Sequence, residues 1–225
     1  DGRSAGAWAQ QFIQQRTAPL DAGKSMTDVA QKLVPQMVGP GSLPEGLRLA
    51  AGKVLMDRNA PAGLLDTAQS GYDESQALIA RWHGRGRLLY AITPRFAGTS
   101  TPAQLAAAGA LWRENGDCLM QTHLSEQTDE IAWVRDLFPQ SRDYLDTYEA
   151  QGLLREGALY GHAIHLTARE KDRLREAGAA LVHCPTSNTF IGSGLFDMSL
   201  ARQLRVGLAT DTGGGSSFSM PSEES

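Results

Sequence analysis

From residue 47 onward, short apolar runs alternate with stretches in which apolar residues recur every three or four positions. The runs lie at 47–54, 88–93, 118–122, 158–164, 180–184 and 206–210 and are rich in Leu, Val, Ile and Ala. Runs apolar on both faces fit the strands of a parallel sheet covered by helices. Between them, Thr101 and Pro102 offer an N-cap and a first-turn proline, Leu105, Ala108, Leu111 and Trp112 follow at helical spacing, and Gly116 marks a stop. Ile131, Val134 and Leu137 share one face of a helix over 128–138, which Pro139 ends. Thr167 and Glu170 have the spacing of a capping box for a helix that stops before Gly178. The alternation predicts about six βα units and an α/β fold, an incomplete (β/α)8 (TIM) barrel.

The first 46 residues follow another pattern. Residues 8–16 and 27–38 read as two amphipathic helices with no strand before them, and the Gly- and Pro-rich run at 39–44 reads as a linker. The expected organisation is therefore a helical leader and linker at 1–46, the barrel at 47–220 and a polar tail at 221–225.

Composition narrows the partners. With 41% hydrophobic and 20% charged residues, the 225-residue chain has the make-up of a globular protein. A net charge of -4 with no basic block argues against nucleic acid. No apolar run approaches the roughly 18 residues that a membrane span needs. The two cysteines, Cys118 and Cys184, cannot build a disulfide framework, and with no signal peptide in view the expected setting is cytoplasmic. A small-molecule substrate remains.

In a βα barrel, chemistry gathers at the carboxyl ends of the strands, where the βα loops converge. Here the run at 88–93 leads into Arg95 and Phe96, the run at 118–122 into His123 and Glu126, and the run at 206–210 into Asp211, while His162 lies within 158–164. Imidazole and carboxylate suit zinc or another divalent transition metal and need not be adjacent in sequence, so His123, His162 and Asp211 are the expected metal set. Glu126 reads either as a first-turn acid of the next helix or as a carboxyl group moving protons beside a metal-activated water. Arg95 is either an anchor for a substrate carbonyl or anion, or an ion-pair partner within its loop. Phe96 either stacks on a planar ring or plugs the barrel mouth. His165 and His183 read as structural, Cys184 as a packed thiol, and His83 as a cation at a helix C-terminus. No G-x-S-x-G, P-loop, dinucleotide fingerprint or H-E-x-x-H occurs.

The runs AAGKVLMDRNAP, WHGRGRLLYAITPRF, QTHLSEQTDEIAWV, HCPTSN and VGLATDTGGGSSFSM resemble the guanine deaminases, within the zinc-dependent amidohydrolase superfamily of (β/α)8 barrels. The resemblance implies zinc ligation by His123 and Asp211, with His162 beside both metal and substrate. It implies Glu126 as the proton shuttle, and Arg95 and Phe96 as purine contacts. The reaction it implies is hydrolytic deamination, in which water attacks the purine carbon bearing the exocyclic amine, releasing ammonia and leaving xanthine.

Members of that family carry a His-x-His pair at the end of the first barrel strand, and this chain has none. The expectation is thus a truncated barrel, with promiscuous hydrolysis of activated esters or phosphotriesters at a residual metal site as a further outcome. A non-catalytic oligomeric barrel fragment is the alternative. The stretch WAQQFIQQRTAPLDAGKSMTDVAQKLVPQMVGPG resembles the helical cap region of α/β-hydrolases, which would make the chain a fusion. An open barrel leaves strand edges and apolar faces to cover, so a homo-oligomer is expected.

Overall fold

Arg48 is the first residue that the structure, a computed structural model, describes, and the description runs over 48–215. Contacts divide the chain into Asp1–Leu47 and Arg48–Ser225. The helices expected at 8–16 and 27–38 and the tail at 221–225 lie outside the described residues.

The strands are β1 (Leu49–Ala51), β2 (Val54–Leu55), β3 (Leu88–Pro94), β4 (Leu119–Leu124), β5 (Ala158–His162), β6 (Ala180–His183) and β7 (Arg205–Leu208). They form one sheet in the order β1-β3-β4-β5-β6-β7, with β2 also paired to β3. Every pairing is parallel. Parallel neighbours need long crossovers. These contain α1 (Ala68–Trp82), α2 (Pro102–Glu114), α3 (Thr128–Leu137), α4 (Tyr144–Glu149), α5 (Ala168–Ala177) and α6 (Pro185–Ile191). The result is an α/β half-barrel, the incomplete TIM barrel that the alternation predicts.

The expected run at 47–54 appears as two short strands in a single register, Leu49 opposite Leu88 and Val54 opposite Thr93. The break falls at Gly52, where any β-carbon would overlap the carbonyl oxygen of Ala91. Helix ends follow the local chemistry. Thr101 caps α2 by accepting from the Gln104 amide, and Thr167 with Glu170 closes the capping box of α5. Gly178 then ends α5 at φ 66, a left-handed conformation that glycine adopts without penalty.

Ile92, Met120, Leu124 and Tyr160 from the sheet meet Leu105, Leu111, Trp112, Leu145, Tyr148 and Leu174 in one buried core. Strands β4 and β5 do not have two equally buried faces, contrary to the expectation. Their positions alternate between buried and half-buried, because the helices cover one side of the sheet and the other side is more open among the described residues.

Candidate metal centre

Strand β4 buries Met120, Thr122 and Leu124 while Gln121 and His123 are half-buried, so the pleat carries His123 to the more open face. In the β4–β5 register, His123 stands opposite Gly161 and Leu124 opposite His162. An uninterrupted pleat would therefore send His162 into the helix-side core with Leu124. The backbone prevents this by turning left-handed at His162 (φ 66) and Ala163 (φ 52). The His162 ring then stacks on His123, with centroids 5.2 Å apart and 26° between planes. Asp211, beyond β7, is left-handed as well at φ 43, and so is Ser125 at φ 49. Such conformations cost about 1–2 kcal/mol for residues other than glycine. Strain of this kind is concentrated where chemistry needs a particular placement.

Hydrogen bonds fix which ring nitrogens are left with a lone pair. The Nδ1 of His123 lies 2.7 Å from the Arg95 carbonyl, which can only accept, so Nδ1 carries the proton. The Nδ1 of His162 lies 2.8 Å from Oδ1 of Asn188 and is likewise the donor. Both rings thus present Nε2 as a free acceptor, the form in which histidine binds a metal. Ser187 donates to Oδ2 of Asp211 at 2.6 Å, and that oxygen stands 4.0 Å from Nε2 of His162. Burial, and next the adjacent His162, hold His123 below the usual imidazole range against the opposing pull of the Arg95 carbonyl and Asp211. A neutral ring at working pH is the ligating form.

The donor atoms of His123, His162 and Asp211 all lie within 4.8 Å of one another. Ligands about 2.0–2.2 Å from one zinc ion stand roughly 3.4–4.4 Å apart, and the 4.0 Å between His162 and Asp211 falls in that range. Two imidazoles and a carboxylate are a set found in catalytic zinc sites. The residues present fit the ion.

A second group, His83, Asp117 and Cys118, does not fit one. His83 accepts the Tyr90 amide at Nδ1 (2.9 Å) and faces Asp117 through Nε2 (3.1 Å), so its nitrogens are engaged on opposite sides of the ring. Burial pushes the Cys118 thiol up to about 11, far from a ligating thiolate. A ring that accepts at Nδ1 is not an imidazolium, which corrects the reading of His83 as a helix-terminal cation.

Glu126 precedes α3 and its N-cap, so it is not a first-turn acid; Asp129 and Glu130 hold those places. Its Oε1 accepts from Ser193 at 3.0 Å and lies 3.6 Å from Nδ1 of His162. Arg95 is exposed and forms no ion pair among the described residues, and its guanidinium lies over the Phe96 ring, 5.2 Å from the centroid. Phe96 in turn meets His123 edge-on at 6.4 Å and Trp133 at 5.9 Å. All six expected site residues are accordingly linked around one end of the sheet. His165 bonds the Ser193 carbonyl, His183 stacks on Phe196, and the Cys184 thiol bonds the Val182 carbonyl, as structural groups do.

Sequence reasoning missed Asn188 and Ser187. Both sit on α6, which starts at Pro185 directly after Cys184. A proline that opens a helix just past a strand end was the available signal.

Residues 33–223 match the amidohydrolase family. The chain belongs to this family. The match begins within the segment expected as a leader. Among curated relatives, the guanine deaminase of Escherichia coli (strain K12) is 51% identical over 176 residues, covering 77% of this chain and 40% of the relative. The solved guanine deaminase of Bradyrhizobium japonicum superposes with a TM-score of 0.78 at 36% identity, covering 96% of this amidohydrolase chain and 48% of that one. The guanine deaminase of C. acetobutylicum, solved with guanine bound in its active site, gives 0.75 at 25% identity over 94% of this chain and 52% of its own. This amidohydrolase chain spans about two-fifths of the length of the curated relatives it matches.

Proposed function

We propose that this amidohydrolase deaminates guanine hydrolytically at a zinc centre held by His123, His162 and Asp211. The observation that carries the proposal is the convergence of these three donors from separate strand ends, with both imidazoles presenting Nε2. The guanine deaminases among its relatives supply the substrate class.

When bound, the ion supplies Lewis-acid polarisation and makes a water more acidic. The chain does the rest. Phe96, braced against His123, offers a flat wall for a purine ring, and Arg95, which has no carboxylate partner among the described residues, is available to a purine carbonyl. Glu126 takes a proton from water and delivers it to the departing amine. One water is consumed, a C–O bond replaces the C–N bond to the exocyclic amine, and ammonia and xanthine leave. His162, held by Asn188, keeps its Nε2 aimed at the centre.

The test is ammonia release from guanine by chelator-treated chain as zinc is returned, with Glu126→Gln alongside. Release restored by zinc and lowered on the order of 10²–10⁴-fold by the variant is expected. The openness of the sheet face beside His123 favours a second reading, hydrolysis of activated esters or phosphotriesters, whose leaving groups need little beyond an activated water. Zinc-dependent ester cleavage without ammonia release would select it. Absence of both activities would select the non-catalytic barrel fragment.

A second copy of the chain is the proposed cover for the open side. Phe190, Ile191, Leu195 and Met198 are exposed in one segment, and β7 is far more exposed than its neighbours.

A further inference from the structure

Tyr148, on α4, is wholly buried, and no other side chain of that short helix reaches the metal centre. Its hydroxyl nevertheless joins the two segments that build the centre. It accepts from the Ala97 amide at 2.9 Å and donates to the His123 carbonyl at 2.8 Å, with the Thr122 hydroxyl 3.2 Å away. The proton assignment is forced, because an amide can only donate and a carbonyl can only accept. Ala97 follows Phe96 directly, and the Arg95 carbonyl already holds both the backbone amide and Nδ1 of His123. These bonds form a closed circuit from Arg95 to His123, through the Tyr148 oxygen, to Ala97 and back along the chain. Without that oxygen, the segment bearing Arg95 and Phe96 is tied to β4 on one side only.

We propose that Tyr148 is a positioning residue whose hydroxyl sets the placement of His123 relative to the Arg95–Phe96 pair, and so tunes metal affinity and substrate pose together. The metal part of this proposal rests on the zinc reading above. The tyrosine ring packs near Tyr144 and Tyr160, at 5.7 and 6.0 Å between centroids, so Tyr148→Phe keeps the packing and removes only the linking oxygen. Tyr160→Phe is the matched control. Its hydroxyl is equally buried but bonds the Leu153 carbonyl, away from the centre.

The experiment follows two readouts in the full chain: hydrogen exchange at the Ala97 amide, and zinc affinity by competition with a chromophoric chelator. In Tyr148→Phe, Ala97 is expected to exchange at least ~10-fold faster and zinc to bind about 10-fold more weakly, the scale typical of losing a partner that orients a metal ligand. Tyr160→Phe should leave both within about twofold, because the hydroxyl it removes bonds the Leu153 carbonyl and neither of the two segments. Unchanged zinc affinity in Tyr148→Phe, or an equal loss in Tyr160→Phe, overturns the proposal. If the wild-type chain takes up no zinc, the metal reading fails by itself. Exchange at Ala97 then decides the role of Tyr148, and unaltered exchange rejects it.

Discussion

His123 serves two neighbours at once. Its Nδ1 hydrogen is committed to the Arg95 carbonyl, which leaves Nε2 with the free lone pair beside the Asp211 and His162 donors, and its burial favours the neutral ring. Asn188 does the same for His162, so Asn188→Ala is expected to weaken zinc binding 10–100-fold, on the order reported for groups that orient metal ligands. Equal affinities by chelator competition would contradict this. Cys118 offers a test of sign. Its folded value is raised from 9.0 to about 11 by burial, so the buried neutral thiol contributes stability below pH 9 that is lost as pH climbs toward 11. Thermal unfolding from pH 8 upward should show the wild type losing its advantage over Cys118→Ala, whereas parallel curves would refute the assignment. His123 and Asp211 were legible in the sequence because each falls at the end of an apolar run. The tautomers were not legible, since they depend on Arg95 and Asn188, partners that only the folded chain brings near.

Among the elements, α2, α3 and α5 are long enough for their period and caps to be read, and their observed ends fall close to the expected ones. The short α4 and α6 offer too few turns for a period to show, although they supply Tyr148, Ser187 and Asn188. Strand β5 is shorter than the apolar run at 158–164 predicts, because nothing in that run announces the left-handed turn at His162. Helix α2 allows a quantitative test at Gly109. In an open helix, Gly→Ala gains about 1 kcal/mol. Here the new methyl group would overlap the carbonyl oxygen of Gln151. The clash outweighs the propensity gain, and Gly109→Ala is expected to destabilise the chain by about 1–3 kcal/mol in urea unfolding. A gain in stability would show that the helix is free to move away. Thr167→Ala, which removes the cap of α5, is expected to cost about 1 kcal/mol.

For the molecule as a whole, a sheet buried under helices on one side leaves its other side more open among the described residues, and that side is the proposed place of both chemistry and association. Exposed Leu195, Phe190 and Met198, together with the exposed β7, make a concentration-dependent dimer the expected species in sedimentation velocity; a single monomer boundary at all concentrations would count against the second copy. The parallel order and the βα alternation could be read from the sequence, while the exposure of β7 could not, since it follows from the place of β7 at the end of the strand order. The most direct check of the account is metal content, measured by mass spectrometry on wild type and on His123→Ala after both are equilibrated with zinc and freed of excess. About one zinc per wild-type chain and almost none in the variant is the result predicted for a three-ligand centre. No zinc in either protein, or equal zinc in both, would contradict it.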